Sequence, residues 1–169
     1  MAEPIDTLKR IHLFEGLSES ELALVAAKLP RESFAPGTAI IQQGASGARM
    51  FILLEGRAKV LRKLGETQVL ITELEHPQTF GEMGIIDGEL ASATVEAEGN
   101  LTTLALSKDD FEALLASSPV LESKLWKNLA KELTRRIRST TNQVQDYFAI
   151  NQSLCENDKF REFYKLYGP

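Results

Sequence analysis

Between about residues 31 and 106 the chain breaks into short, β-rich apolar pieces, and this pattern constrains the fold more than any other feature. Ala39-Ile40-Ile41, Met50-Phe51-Ile52-Leu53-Leu54, Val60-Leu61, Val69-Leu70-Ile71, Ala93-Thr94-Val95 and Leu101 to Leu106 recur along it. Gly37, Gly44, Gly47, Gly56 and Gly65 punctuate them as turns. Short strands at this spacing predict a sandwich, jelly roll or barrel. Phe80 to Asp87 breaks the pattern and predicts one helical turn set among the strands.

Helices flank this region. Over about residues 5–30, Ser18 followed by Glu21 reads as a capping box. Leu22, Val25, Ala26 and Leu29 then share one helical face, and Pro30 ends the element. Ser107 and Asp110 can cap a helix carrying Phe111, Leu114 and Leu115. Ser118 then caps a further helix with Pro119 at its first position. That helix meets no internal glycine or proline until about residue 155. The expected organisation is a β-roll with N-terminal helices over 1–118, a long helix over 119–155, and a short tail over 156–169.

The long helix carries a regular apolar step. Trp126, Ala130, Leu133, Ile137, Thr140, Val144, Tyr147, Asn151 and Leu154 alternate spacings of four and three. A sustained 3.5-residue period predicts a coiled-coil seam and hence a parallel homodimer. The simpler alternative is a helix packed along its own domain. Thr140 and Asn151 are polar breaks, and a buried Asn at an a-type position can fix register. The basic residues beside the seam (Lys124, Lys127, Lys131, Arg135, Arg136, Arg138) read as a solvated face. In the tail, Phe160, Phe163, Tyr164 and Tyr167 form an aromatic stripe at helical spacing. Such a stripe folds back on its own dimer or docks on an unidentified protein partner.

Charge and composition exclude several classes. The chain has 169 residues, enough for one core plus one extra element. No apolar run approaches the ~20 residues of a membrane span. The acidic N-terminus lacks a secretion signal, and a lone Cys155 forms no intrachain disulfide, so a cytoplasmic location is expected. Residues 1–118 carry a net charge of −8 and residues 119–169 carry +3. An acidic body argues against a broad nucleic-acid surface there. His12 and His76 lie far apart, and no cluster has metal-ligand spacing, which also excludes a cupin-type metal jelly roll. No nucleophile triad or P-loop occurs, so the chain is expected not to be an enzyme.

The run Phe80-Gly81-Glu82-Met83-Gly84-Ile85-Ile86-Asp87-Gly88-Glu89-Leu90-Ala91-Ser92-Ala93-Thr94-Val95 resembles the phosphate-binding cassette of cyclic nucleotide-binding domains. Ile11 to Ser18 resembles that family's opening helical motif. Phe34-Ala35-Pro36-Gly37 and Gln43-Gly44 resemble its first strand turns, and Leu54 to Val60 its mid-barrel strand. The likeness covers about residues 8–150 in order. It implies a mainly β fold, a jelly roll or double-stranded β-helix with flanking helices. It also implies a possible cyclic nucleotide ligand, cAMP or cGMP.

By resemblance, Gly81, Glu82, Met83, Ala91 and Ser92 line the cassette. Gly81 would let the backbone approach a sugar closely. Glu82 would accept the ribose 2′-hydroxyl, and Ser92 would donate to a phosphate oxygen. Backbone N–H groups of the short helix would face the phosphate. The family places an arginine where this chain has Ala91. Residues 64–107 contain no Lys or Arg but eight acids: Glu66, Glu73, Glu75, Glu82, Asp87, Glu89, Glu96 and Glu98. Losing one charge-assisted hydrogen bond weakens binding by roughly 10- to 150-fold. Thr140 and Thr141 match the place where bacterial catabolite-activator-like relatives set two hydroxyls against the base. The alternative for them is a local bond to the preceding helical turn.

Those relatives carry a helix-turn-helix domain after the dimer helix. About 15 residues follow Leu154, too few for a DNA-reading module, so a stand-alone module without one is expected. Two functions stay open. One is a dimeric sensor with a degenerate cassette that signals to a partner. The other is a ligand-independent interaction scaffold.

Overall fold

A computed structural model describes the backbone of residues 2–156, with side chains for residues 5–153 and Glu156. The aromatic stripe at Phe160, Phe163, Tyr164 and Tyr167, and the side chain of Leu154, lie outside the described residues. The described residues divide into two compact units, one ending at Asn128 and one beginning at Leu129.

The first unit opens with α1 (Ala2–Leu8), a 3-10 turn (His12–Phe14) and α2 (Glu19–Ala26). The capping box at α2 forms as the sequence implies: Glu21 N–H donates to Ser18 Oγ, and Ser18 N–H donates to the Glu21 carboxylate at 2.6 Å. Leu22 and Val25 turn inward and are fully buried.

Eight strands follow: β1 (Arg31–Phe34), β2 (Ala39–Ile41), β3 (Arg49–Glu55), β4 (Arg57–Leu64), β5 (Thr67–Glu75), β6 (Thr79–Phe80), β7 (Thr94–Ala97) and β8 (Leu101–Ser107). They form two four-stranded sheets, ordered β1-β8-β3-β6 and β2-β7-β4-β5, with every pairing antiparallel. This is the expected jelly roll. Phe51, Leu53, Ala58, Leu74, Phe80, Val95, Ala97, Leu101 and Ala105 from both sheets fill its interior. Phe51 stacks on Phe80 at 5.2 Å and meets Phe34 edge-on at 6.2 Å. The strand β5 is a sheet edge whose Val69, Leu70 and Ile71 are exposed, so its apolar run does not mark core. The polar run Arg31–Phe34 and the two-residue β6 also pair as strands, beyond the pieces that the apolar pattern predicts.

One helix interrupts the strands, α3 (Glu82–Asp87), where a single turn is expected. After β8, Asp110 N–H donates to Ser107 Oγ at 3.1 Å and starts α4 (Lys108–Ser117). The last helix, α5, runs Pro119–Glu156. Its residues 119–128 belong to the first unit. There Leu121 and Leu125 are fully buried, and Trp126 packs edge-on against Phe111 at 5.9 Å.

The second unit is described through the rest of α5. Ile137 is 67% exposed, Val144 47% and Tyr147 66%. Leu133 and Asn151 are half-buried, and Ala130 is exposed. The apolar stripe expected as a seam therefore stands largely open in the single chain.

Candidate functional site

The cassette begins at a backbone position that only glycine fills easily. Gly81 caps α3 in the left-handed region at φ 80°, and an added Cβ would lie 2.6 Å from the Arg49 carbonyl oxygen. The close approach here is to strand β3, a reason for Gly81 that the resemblance does not supply. Glu82, the next residue, is only 3% exposed. A carboxylate this deep is held in place by its surroundings and is rare in a core.

The return arm of the cassette is held by main-chain bonds. Ala91 N–H donates to the Ala45 carbonyl at 2.9 Å, and Gly44 N–H donates to the Ala91 carbonyl at 2.8 Å. Leu90 bridges Ser46 in the same antiparallel sense. The loop at 42–47 that receives this arm is itself braced. Gln43 N–H donates to Thr94 Oγ1 at 3.1 Å. The Gln43 side-chain amide pairs with the main chain of Lys63, accepting from its N–H at 2.8 Å and donating to its carbonyl at 3.3 Å. Gly47 closes the loop against Gly84 of α3, main chain to main chain. Position 91 thus has a defined backbone and carries a half-buried methyl group. Ser92 and Met83 are exposed, Met83 at 53%.

Three cations of the roll are committed to carboxylates. Arg49, whose carbonyl abuts Gly81, sends its guanidinium to Glu32 and over the Phe51 ring at 4.9 Å. Arg57 and Lys59 both pair with Glu98, at 3.2 and 2.9 Å. The Lys59 hydrogen bond, reinforced by nearby Arg57, holds the Glu98 carboxyl below its ordinary range. One cation does reach the cassette from outside residues 64–107. Lys108 Nζ lies 3.3 Å from where a Cβ on Gly88 would stand. It meets the C-terminal end of α3, next in sequence to Asp87 and Glu89. A survey of residues 64–107 alone misses it, because it comes from the first residue of α4.

The two threonines lie on α5 in the second unit and are exposed. Thr141 Oγ1 donates to the Ile137 carbonyl at 2.9 Å, the local helical bond considered as its alternative role. Asn151 Nδ2 likewise donates to the Tyr147 carbonyl one turn back at 3.1 Å. Among the described residues no group of His, Cys, Asp and Glu could hold a metal ion, and no helix is long and apolar enough to cross a membrane.

A buried glutamate follows a left-handed glycine on a short helix inside a jelly roll, the arrangement that the cassette resemblance implies. The family model for the cyclic nucleotide-binding domain matches residues 31–118, just over half of the chain. This protein belongs to that family. It is similar to a CRP-like cAMP-activated global transcriptional regulator of Mycobacterium tuberculosis, 25% identical over 83% of this chain and 62% of the relative. The chain therefore spans less than two thirds of that relative's length. The crystal structure of a cyclic nucleotide-binding domain from Methylobacillus flagellatus shares the fold with a TM-score of 0.78 and 24% identity, over 86% of this chain and 83% of that one. A further neighbour is the regulatory subunit of a cAMP-independent protein kinase A from Trypanosoma brucei, solved as a triple mutant bound to cAMP. It gives a TM-score of 0.62 and 25% identity over 76% of this chain and 50% of that one. One of the three substitutions in that mutant introduces an arginine.

Proposed function

We propose that this chain is a non-catalytic regulatory module: a dimeric sensor whose cassette takes a nucleotide-class ligand and passes its occupancy to a partner protein. The observation that carries this reading is the pair of main-chain bonds at Ala91, taken together with the deeply buried Glu82. They support a cassette whose frame is complete while its counter-charge is replaced by a methyl group. Glu82 would accept a ribose hydroxyl, Gly81 and Met83 would border the sugar, and Ser92 would donate to the ligand. The exposed stripe of Ile137, Val144 and Tyr147 supports a second copy on α5, with Trp126, Ala130, Leu133, Thr140 and Asn151 continuing the seam. Binding would shift a two-state equilibrium that the partner reads.

Calorimetric titration of cAMP and cGMP into the wild type and Ala91→Arg tests this. Arginine should raise cyclic nucleotide affinity by roughly 10- to 150-fold, the value of one charge-assisted hydrogen bond. No gain on Ala91→Arg would show that the loop does not hold the family's geometry, and silence of both proteins toward every nucleotide and nucleoside would exclude the sensor. A second reading, a ligand-independent scaffold, would then hold; it is favoured by the exposed Met83 and Leu90, at 53% and 63%.

A further inference from the structure

We infer that the preferred ligand is an uncharged nucleoside rather than a cyclic nucleotide; this rests on the cassette reading above and specifies its ligand. A cyclic phosphate brings one fixed negative charge. A monoanion transferred from water needs a counter-charge or several aimed donors to offset its desolvation. Residues 64–107, which hold the cassette, supply no Lys or Arg. Ala91 ends in a methyl group, and its N–H is already used by Ala45. The guanidinium of Arg49 is turned to Glu32 and Phe51. Arg57 and Lys59 are held by Glu98. Lys108 reaches the opposite end of α3 from Glu82. A six-residue helix spans about 9 Å, so this ammonium lies well away from the Gly81–Glu82 end.

The local field points the same way. Glu82 is buried in the cassette, Asp87 and Glu89 are exposed on it, and Glu96 lies on the adjoining β7. Each repels a phosphate. None of them repels a neutral ribose, and the Glu82 carboxyl can accept a sugar hydroxyl. The exposed thioether of Met83, next in sequence to Glu82, presents apolar surface, which suits a sugar and base better than an anion. The geometry selects a ligand with ribose hydroxyls, a base and no phosphate.

Titration calorimetry on the full chain separates the outcomes, with adenosine, guanosine, cAMP, cGMP and 2′-deoxyadenosine as probes. Adenosine or guanosine should bind at least about tenfold more tightly than its own cyclic phosphate, the lower value of one lost charge-assisted contact. The 2′-deoxy compound should lose about tenfold against adenosine, and Ala91→Arg should reverse the preference toward the cyclic nucleotide. Wild-type protein that binds cAMP more tightly than adenosine overturns the inference and leaves the sensor reading standing. If Lys108→Met then abolishes that cAMP binding, Lys108 is the counter-charge. Nucleosides that fail to bind, while Ala91→Arg gains cAMP, likewise refute only the nucleoside preference. Silence from every probe, in wild type and Ala91→Arg alike, refutes the sensor reading itself.

Discussion

Gly47 and Gly84 lie main chain against main chain: a Cβ built on Gly47 would stand 2.6 Å from Gly84 Cα and 3.0 Å from the Glu89 carbonyl oxygen. A Cβ on Gly84 would in turn meet the Gly47 backbone. This contact fixes how closely α3 approaches the loop that braces position 91. Backbone cannot rotate away as a flexible side chain can, so even a methyl group must displace the loop.

Gly84→Ala should therefore destabilise the protein by about 1–3 kcal/mol, the range for overpacking a tight site. Gly99→Ala is the control. It meets nothing within 4 Å and its φ is not positive, so it should change stability by no more than about 0.5 kcal/mol. Urea unfolding of both variants checks the difference. Equal midpoints would show that the glycine contact carries no weight.

Asn128 ties α5 to the N-terminal turn. Its buried Nδ2 donates to the carbonyls of Leu13 at 3.0 Å and Glu15 at 2.7 Å. Asn128→Ala leaves both acceptors without this partner, at about 1–3 kcal/mol for each one that stays dry. Asn128→Asp should be worse, because a carboxylate faces two carbonyl oxygens with no proton to offer. Thermal unfolding of the two variants tests the order.

Lys124 and Glu21 make the protein acid-sensitive. The Lys124 ammonium, 2.7 Å from Glu21 Oε2, and the Ser18 N–H hold this carboxyl below its ordinary value of about 4.3. A carboxyl depressed in the folded state contributes stability above its unfolded value and loses it as pH falls through the folded one. Asp110, lowered first by Lys28 and then by Ser107, acts in the same sense. Stability should fall from about pH 5 downward, and Lys124→Met should flatten that limb. An unchanged acid limb in this variant would assign the sensitivity to other carboxylates.

Ile137 stands 67% exposed midway along α5. In a coiled-coil dimer Ile137→Asp places a charge in the seam and should yield monomers by sedimentation. A dimer that persists would place the interface elsewhere.

Much of the fold was legible because its signals are local. The Ser18–Glu21 capping box, the Ser107 cap and the helical turn at α3 each depend on residues within one turn of each other. The cassette's position was legible from the order of its residues, and so was the absence of arginine at 91. Long-range contacts left no such trace. Nothing in the chain marks Gly47 as the partner of Gly84, 37 positions away. Lys108 reaches Gly88 only because β8 returns α4 to the cassette. Gln43 gives no periodic signal, yet its side-chain amide serves Lys63 as a strand would. The apolar Val69–Ile71 run misleads in the other direction: strand propensity does not say which strand is the edge.

Ala91 holds its place through its peptide groups alone. A residue anchored in that way can be exchanged without rewriting the loop around it. Position 91 is thus a socket rather than a keystone. On the proposed reading, a single substitution there would change which ligand the cassette takes while the main-chain frame of the loop stays as it is.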